Sequence, residues 1–269
     1  MNDADAEVAP AVAREIHRIA NAVEAIAGVL DRGGRLFYIG AGTSGRLGVL
    51  DAVECPPTFG VPPDLVHGIV AGGESALAHP SEASEDDAAL GAHDLEAAGF
   101  TAADALVGIS ASGRTPYVLG AVRKARHMGA LTCGISCVPG SELSLAVSYP
   151  MEPAPGPEIL AGSTRLRAGT ATKLVLNMIS TAVMIRMGHV YGNLMVNVQP
   201  SNRKLEDRAV GIIQEVAGVS RERAVELLEQ SGRSVRTAIV MARRQVGRGE
   251  AERLLQQAKG RIRETLTGC

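Results

Sequence analysis

The sequence predicts a three-layer α/β domain (α-β-α), in which helices cover both faces of a parallel five-stranded sheet. Five short apolar runs, bounded by glycines and other turn residues, alternate with segments of helix length. The runs are apolar on both faces, which is typical of parallel strands buried between helices. Composition agrees, since 46% of the 269 residues are hydrophobic but only 3% are aromatic. Small aliphatic side chains must therefore fill the core.

Strand and helix patterns can be assigned in chain order. The predicted strands span residues 36–39, 65–71, 105–109, 131–135 and 145–149. Apolar residues at helical spacing predict one amphipathic helix over residues 8–30, which ends before Gly33 and Gly34. A second long helix, from residue 167 to about 189, is apolar on every side. We expect it in the core or, preferably, in a subunit interface.

The chain changes character after Pro200, where charged helical patterns replace the strands. Helices are predicted near residues 203–217, 221–231, 234–246 and 249–266, with glycines between the last three. These patterns predict one large domain over residues 1–200, a connecting helix over 201–217 and a three-helix module over 218–269.

The C-terminal region carries positive charge, with 14 Lys and Arg against 9 Asp and Glu in residues 201–269. Nucleic acid is nevertheless not the expected partner. No aromatic residue follows Tyr191 to stack on a base, and arginines alternate with glutamates, as in residues 221–223. A solvated helix face explains the charges.

The cysteines are too scattered to form a CxxC pair or a disulfide framework, which favours a reducing compartment and argues against a bound metal. They are Cys55, Cys133, Cys137 and Cys269. The acidic N-terminus lacks the apolar core of a secretory signal. The longest apolar stretch, residues 174–185, is too short to cross a bilayer. We therefore expect a cytoplasmic protein without membrane contact.

Two glycine-rich loops follow predicted strands. The first, residues 40–46 (GAGTSGR), also fits the GxGxxG pattern of dinucleotide-binding proteins, although that match alone is weak. Its glycines let backbone N–H groups approach an anion at the start of the next helix, where the helix dipole attracts negative charge. The second, residues 110–116 (SASGRTP), precedes a helix that starts at Pro116.

The hydroxyls of the two loops favour one terminal phosphate as the ligand. A pyrophosphate needs only one such loop, whereas several converging donors match the oxygens of a single phosphate. Each hydroxyl alone could instead cap a helix or a turn. The predicted phosphate ligands are Thr43, Ser44, Gly45, Ser110, Ser112 and Thr115.

Residues 110–115 resemble the S-x-S-G-x-T pattern of the phosphosugar site in sugar isomerase (SIS) domains. Four further segments resemble the N-acetylmuramic acid 6-phosphate etherases: residues 40–48 (GAGTSGRLG), 51–58 (DAVECPPT), 162–165 (GSTR) and 192–196 (GNLMV). The resemblance is close over about residues 32–210 and looser in the helical tail.

The resemblance implies an SIS fold and a homodimeric lyase that needs no cofactor or metal. Such an enzyme would cleave the D-lactyl ether of N-acetylmuramic acid 6-phosphate, giving N-acetylglucosamine 6-phosphate and D-lactate in recycling of the cell-wall sugar. The resemblance also points to Glu54 and Glu85 as the catalytic carboxylates.

The local settings of these two glutamates are predicted to differ. The prolines that follow Cys55 should end the helix opened by the first loop. Glu54 is then expected in the last turn, where the helix dipole raises the pKa of a carboxyl. Glu85 is expected at the start of the next helix, where the dipole favours the ionised form. Opposed environments suit an acid and a base, although two glutamates without a catalytic role fit the same pattern.

Our hypothesis makes Glu85 the general base and Glu54 the general acid. The lactyl ether on C3 is β to the C1 aldehyde of the ring-opened sugar, so removal of the C2 proton permits expulsion of the ether oxygen. Glu85 would take that proton, Glu54 would protonate the departing lactate, and water would then add at C3.

Other charged residues are weaker candidates for substrate contacts. Arg165, Arg167 and Lys173 flank the start of the long apolar helix and could hold the lactyl carboxylate, cross a dimer interface or lie on the surface. Glu74 and Glu158 could bind sugar hydroxyls.

Three other functions fit parts of the sequence. An aldose–ketose isomerase of an amino-sugar phosphate would share the fold, the phosphate loops and the C2 base. A non-catalytic sugar-phosphate sensor similar to the glucokinase regulatory protein would bind without turnover, which the single SIS domain and the two glutamates argue against. A nicotinamide enzyme fits least, because Glu74 stands farther beyond Gly42 than the ribose-binding acid of such proteins.

Overall fold

The computed structural model describes residues 1–81, 83–200 and 202–267. The chain divides into two compact units. The first comprises Met1–Glu54 with Pro63–Val183, and the second comprises Cys55–Pro62 with Met184–Cys269. Within the described residues, the named strands all belong to the first unit.

Five parallel strands form the sheet that the apolar runs predict. They are β1 (Leu36–Gly40), β2 (Val66–Val70), β3 (Ala105–Ile109), β4 (Leu131–Ile135) and β5 (Tyr149–Met151), in the spatial order β2-β1-β3-β4-β5. β1 and β3 are neighbours in the centre, and Gly40 lies opposite Ile109. The carboxyl ends of these strands therefore meet at one edge of the sheet, where open parallel sheets bind their ligands.

Helices flank this sheet, and the predicted α/β class with a parallel five-stranded sheet is confirmed. One buried cluster joins Phe37 of β1, Leu106 of β3 and Val118 of the helix after β3. The helices that begin in the first unit are α1 (Asn2–Ala6), α2 (Val8–Ala13), α3 (Ile16–Asp31), α4 (Gly42–Phe59), α5 (Ser75–Ala78), α6 (Ala88–Ala97), α7 (Pro116–His127), α8 (Glu142–Ala146) and α9 (Arg167–Arg186).

The helix predicted over residues 8–30 is interrupted between α2 and α3. At the break, Glu15 Oε2 accepts the N–H of Glu152 at 2.9 Å, and Arg18 Nη1 lies 2.5 Å from Glu152 Oε2. The turn is thus fixed by contacts with a residue distant in sequence. Apolar periodicity along the segment cannot reveal such contacts.

The last strand is shifted from its predicted place at 145–149. α8 occupies the first two residues of that run, because Ser141 caps the helix by accepting the N–H of Ser144 at 3.2 Å. The strand begins only at Tyr149, where the chain pairs with β4. A capping serine ahead of an apolar run indicated a helix start that the strand prediction overlooked.

α4 runs past the two prolines that follow Cys55 and ends at Phe59, so the prediction that it stops near Cys55 is wrong. The prolines cannot donate helical hydrogen bonds. The chain nevertheless stays helical, and the N–H of Gly60 bonds the carbonyl of Pro56 at 2.8 Å. Glu54 consequently lies five residues before the end of the helix and not in its last turn.

α9 is buried over much of its surface. It is long and apolar enough to cross a membrane by length and composition, but 56% of its apolar window is buried inside the protein, as in the core helix of a soluble protein. Ala171, Val175 and Ile179 are fully buried within the chain itself, whereas Lys173 is exposed.

The second unit has its own apolar core, to which Ile213, Leu228 and Ile239 contribute. The helix predicted over 249–266 is broken at Lys259 and Gly260, which both have positive φ. Four helices rather than three therefore follow residue 218 in the described part of the chain. The helices of this unit are α10 (Arg203–Ala217), α11 (Arg221–Gln230), α12 (Val235–Arg244), α13 (Arg248–Gln257) and α14 (Ile262–Thr267).

Candidate active site

The two glycine loops lie side by side at the carboxyl ends of β1 and β3. The first loop connects β1 to α4, and the second connects β3 to α7. Because β1 and β3 pair in parallel register, both loops leave the sheet at the same edge. The structure thus brings together the loops that carry the six predicted phosphate ligands.

The first loop is tight and opens α4 directly. Gly42 has a φ of 51°. A Cβ on Gly45 would lie only 2.5 Å from the carbonyl oxygen of Gly40, so this position requires glycine. Thr43 and Ser44 are half-buried in the first turn of the helix. The N–H of Gly45 donates to the carbonyl of Ala41 at 3.2 Å. The N–H groups of Thr43 and Ser44 precede this first helical hydrogen bond and suit an anion.

The second loop is closed by hydrogen bonds between hydroxyls. Ser110 Oγ lies 2.8 Å from Thr115 Oγ1 and 3.4 Å from Ser112 Oγ. The N–H of Gly113 donates to Ser110 Oγ at 3.0 Å. Ser110 and Thr115 are buried, whereas Ser112 is exposed. We call Ser110, Ser112 and Thr115 the hydroxyl cluster.

The segment after β4 supports this loop, a role that sequence reasoning missed. The N–H of Cys137 donates to the carbonyl of Ala111 at 2.9 Å, and the N–H of Leu143 donates to that of Gly113 at 2.9 Å. Gly113 has a φ of 67°, and a Cβ there would lie 2.2 Å from Ser141 Oγ. Only glycine fits between the loop and its support.

Glu85 lies beside the hydroxyl cluster. Thr115 Oγ1 donates to Glu85 Oε1 at 3.4 Å, and the N–H of Tyr117 donates to the Glu85 carbonyl oxygen at 3.1 Å. The predicted placement at a helix start is wrong by three residues, because the N-cap of α6 is Asp87 and the helix begins at Ala88. Glu85 instead occupies the preceding turn, where it is half-buried.

Glu54 is exposed on α4, the helix that the first loop opens. Asp51 lies three residues earlier and therefore on the same side of the helix. Ser180 Oγ donates to Asp51 Oδ1 at 3.0 Å, which ties α4 to α9. Burial raises the pKa of Asp51 to about 6, although hydrogen bonds from Tyr38 and Ser180 and the charge of Lys173 act in the opposite direction. Sequence reasoning assigned no role to Asp51.

The other predicted substrate contacts are either engaged in capping a helix or exposed on the surface. Glu158 caps α9, because its two carboxylate oxygens accept the N–H groups of Arg167 and of the next residue at 2.8 and 2.9 Å. Arg165, Lys173 and Glu74 are exposed. Glu158 therefore has a helix-capping role that its sequence position did not reveal, and contact of these residues with substrate stays a prediction.

The chemical groups of the site are hydroxyls and carboxylates. Among the residues that the structure describes, no group of three or more His, Cys, Asp or Glu side chains is arranged to hold a metal ion. Burial raises the pKa of the Cys133 and Cys137 thiols to about 12, so neither is a thiolate at neutral pH.

Comparison with known proteins agrees with this geometry. Residues 18–126 match the family model of the glucokinase regulatory protein N-terminal SIS domain, and residues 192–235 match that of the C-terminal lid domain of glucokinase regulatory protein. The chain is also similar in structure to a phosphoheptose isomerase from Francisella tularensis, with 20% identity and a TM-score of 0.52 over 68% of this chain and 92% of that chain. The fold and the paired loops define an SIS-domain protein.

Sequence relatives narrow the family. The N-acetylmuramic acid 6-phosphate etherase of Rubrobacter xylanophilus is 55% identical over 262 residues, which is 97% of this chain and 86% of the relative. N-acetylmuramic acid 6-phosphate etherase 1 of Bacillus licheniformis is 51% identical over 267 residues, 99% of this chain and 88% of the relative. The chain belongs to the N-acetylmuramic acid 6-phosphate etherase family.

Proposed function

We propose that this chain is a carbon–oxygen lyase that releases D-lactate from N-acetylmuramic acid 6-phosphate and leaves N-acetylglucosamine 6-phosphate, in recycling of the cell-wall sugar. The observation that carries the proposal is the position of Glu85, whose carboxylate lies 3.4 Å from Thr115 in the hydroxyl cluster. A base beside a phosphate-binding loop suits a sugar phosphate whose reacting carbons lie a few bonds from the phosphate.

The two loops bind the phosphate through different groups. Ser110 and Ser112 of the hydroxyl cluster donate hydrogen bonds to the phosphate oxygens, and Thr115 does so by turning its single O–H from Glu85 to the phosphate. Thr43 and Ser44 donate from the first loop, Gly45 lets the backbone pass close to the phosphate, and the positive end of the α4 dipole adds attraction. Hydrogen bonds to a charged acceptor are the strong ones, so this anchor fixes the sugar against Glu85.

The reaction begins on the ring-opened sugar, when Glu85 removes the proton from C2. The electrons of the C2–H bond first pass to the C1 carbonyl as an enolate. The enolate then re-forms the carbonyl and a C2–C3 double bond as the C3–O bond breaks, and Glu54 protonates the departing lactate oxygen. Water then adds at C3 and gives its proton to Glu54, while Glu85 returns a proton to C2. Both glutamates thereby regain their starting states. Each proton transfer contributes about 10² to 10⁴ in rate.

The other substrate contacts and the assembly belong to the same proposal. Arg165 and Lys173 lie on an exposed part of the chain near the start of α9 and would attract the lactyl carboxylate. Glu74 and Glu158 would accept hydrogen bonds from sugar hydroxyls. We place the enzyme in the cytoplasm as a homodimer that uses no cofactor.

The direct test is release of D-lactate from N-acetylmuramic acid 6-phosphate by the purified chain. Glu85→Gln should lower kcat by about 10² to 10⁴, because the base is lost. Its exposed neighbour Asp86 supplies the control, and Asp86→Asn should keep full activity. A wild-type chain that interconverts aldose and ketose phosphates without releasing lactate would instead be an isomerase.

The division of roles between the two glutamates has its own test. Glu54→Gln should abolish lactate release while the C2 proton still exchanges with solvent, because the base remains. Exchange is followed by NMR in deuterated water, and Glu142→Gln, at an exposed glutamate of α8, is the control. Loss of exchange together with lactate release would show that the roles are misassigned.

A further inference from the structure

Glu85 does not lie on a strand or in a helix, so some other part of the fold must hold it in place. It occupies the turn of residues 83–86, just before the N-cap residue of α6. The hydrogen bond from Thr115 is long, at 3.4 Å, and holds only the carboxylate. The backbone of the turn needs a second anchor if the carboxylate is to stay near the hydroxyl cluster.

Tyr117 supplies that anchor with three contacts. Its N–H donates to the Glu85 carbonyl at 3.1 Å, and its O–H donates to Asp94 Oδ2 of α6 at 2.7 Å. Its own carbonyl oxygen lies against Gly91, where a Cβ would come within 1.9 Å of it. Tyr117 is fully buried, and burial followed by the Asp94 hydrogen bond raises its pKa, so the phenol stays a donor.

The backbones of α6 and α7 also approach each other closely at Gly120. A Cβ on Gly120 of α7 would lie 1.9 Å from the carbonyl oxygen of Ala88, the first residue of α6. Both glycines are therefore needed for the present separation of the two helices. Any side chain at either position must push the start of α6, and with it the Glu85 turn, away from α7.

Tyr117 also stands only two residues after Thr115, at the second position of α7. The same short segment therefore supplies a proposed phosphate ligand and holds the proposed base. This arrangement fixes the distance between phosphate and base without requiring substrate to be present, which is the pre-organisation that proton abstraction needs.

Resting on the proposed function, we infer that Tyr117 is a positioning residue for the reaction, acting through Glu85 by its hydrogen bonds to the Glu85 carbonyl and to Asp94 and by its contact with Gly91.

The first test is Gly91→Ala. The added methyl group displaces α6 from Tyr117, and a misplacement of about 1 Å lowers kcat about 100-fold. KM and the inhibition constant of inorganic phosphate should stay within about twofold, because the hydroxyl cluster is not on α6. The control is Gly28→Ala in α3, where the nearest atom to the new Cβ is a flexible arginine nitrogen at 3.4 Å.

A second set of variants covers the case in which Gly91→Ala does not fold. Tyr117→Phe keeps the ring and the backbone N–H but loses the bond to Asp94, and kcat should fall about fivefold. Asp94→Ala should show the same loss. Asp94→Asn retains an acceptor for the phenol and should restore kcat to near the wild-type value. The double variant Tyr117→Phe, Asp94→Ala should be no worse than either single one.

Solvent exchange at C2 separates positioning of the base from general damage. Because Glu85 makes the exchange possible, exchange and lactate release should fall in parallel in Gly91→Ala and Tyr117→Phe. If the wild type releases lactate and both variants keep its kcat, the role of Tyr117 is overturned, whereas the proposed function stands. Equal losses of kcat and of phosphate affinity in these variants would also overturn the positioning role of Tyr117. A wild type that releases no lactate contradicts the proposed function, and the inference with it.

Discussion

The first and second glycine loops reach the same edge of the sheet but are built differently. The first passes into α4 within two residues of the strand and offers the N–H groups of a helix start. The second remains a loop over residues 110–115, closes on itself through Ser110 and Thr115, and is held by hydrogen bonds from the segment after β4. In the proposed phosphate site, one loop would therefore bind through a helix terminus, and the other through hydroxyls that already lie close together.

This difference shows that a glycine can be required because of its backbone conformation or because a side chain would overlap neighbouring atoms. Gly42 and Gly113 both have positive φ, one in each loop. No atom lies within 4 Å of a Cβ at Gly42, whereas a Cβ at Gly113 would overlap Ser141. Only backbone strain opposes a side chain at Gly42, but strain and overlap together oppose one at Gly113.

The largest expected effect follows from that pair. Gly113→Ala should weaken binding of inorganic phosphate about 100-fold, because the loop must move to relieve strain and overlap of about 3 kcal/mol. Gly42→Ala should weaken it only about fivefold, from strain of about 1 kcal/mol. Isothermal titration measures both, and equal losses in the two variants would mean that the second loop is not held as described.

A smaller effect is expected for the serines. Ser110→Ala removes the buried partner of Thr115 and Gly113, so it should lower both phosphate affinity, by about tenfold, and the free energy of unfolding, by about 1–2 kcal/mol. Ser44→Ala, in the half-exposed first loop, should lower phosphate affinity similarly but change stability by less than about 0.5 kcal/mol. Isothermal titration with inorganic phosphate measures the affinity, and urea denaturation measures the free energy of unfolding. Equal destabilisation by Ser110→Ala and Ser44→Ala would contradict the distinction between the loops.

The smallest effect on catalysis concerns the anchor of α4. Burial raises the pKa of Asp51 from 3.8 to about 6, so the folded state binds the proton more tightly than the unfolded state. The free energy of unfolding should therefore fall as pH rises from about 4 to about 6. Asp51→Asn, which keeps an acceptor for Ser180, should remove this slope and stabilise the protein at neutral pH by about 1–3 kcal/mol. Urea denaturation across this range tests it, with Asp86→Asn as control, and an unchanged slope would contradict it.

The sequence predicts the sheet and the positions of the two glycine loops well, because both depend on local signals. Apolar runs between glycines define β1, β3 and β4, and hydroxyls at strand ends define the ligand loops. Parallel pairing then brings Ser44 and Ser110 to one edge without further information. The positions of the two loops can therefore be predicted from the order of strands and loops in the sequence.

The rest depends on contacts between distant segments, which local patterns do not contain. The prolines after Cys55 do not end α4, and Glu85 precedes the helix start by three residues. Glu158 stays a predicted sugar contact, but its cap on α9 was not visible in the sequence. The support of Gly113 by Ser141 is visible only once β3 and β4 lie side by side.

The most direct test of the proposed elimination is to run the reaction in deuterated water labelled with heavy oxygen. Removal of the C2 proton and addition of water at C3 should place deuterium at C2 and the labelled oxygen at C3 of the sugar phosphate, while the released lactate carries no label on its former ether oxygen. Labelled oxygen in the lactate, or a sugar phosphate that carries no labelled oxygen at C3, would contradict the mechanism.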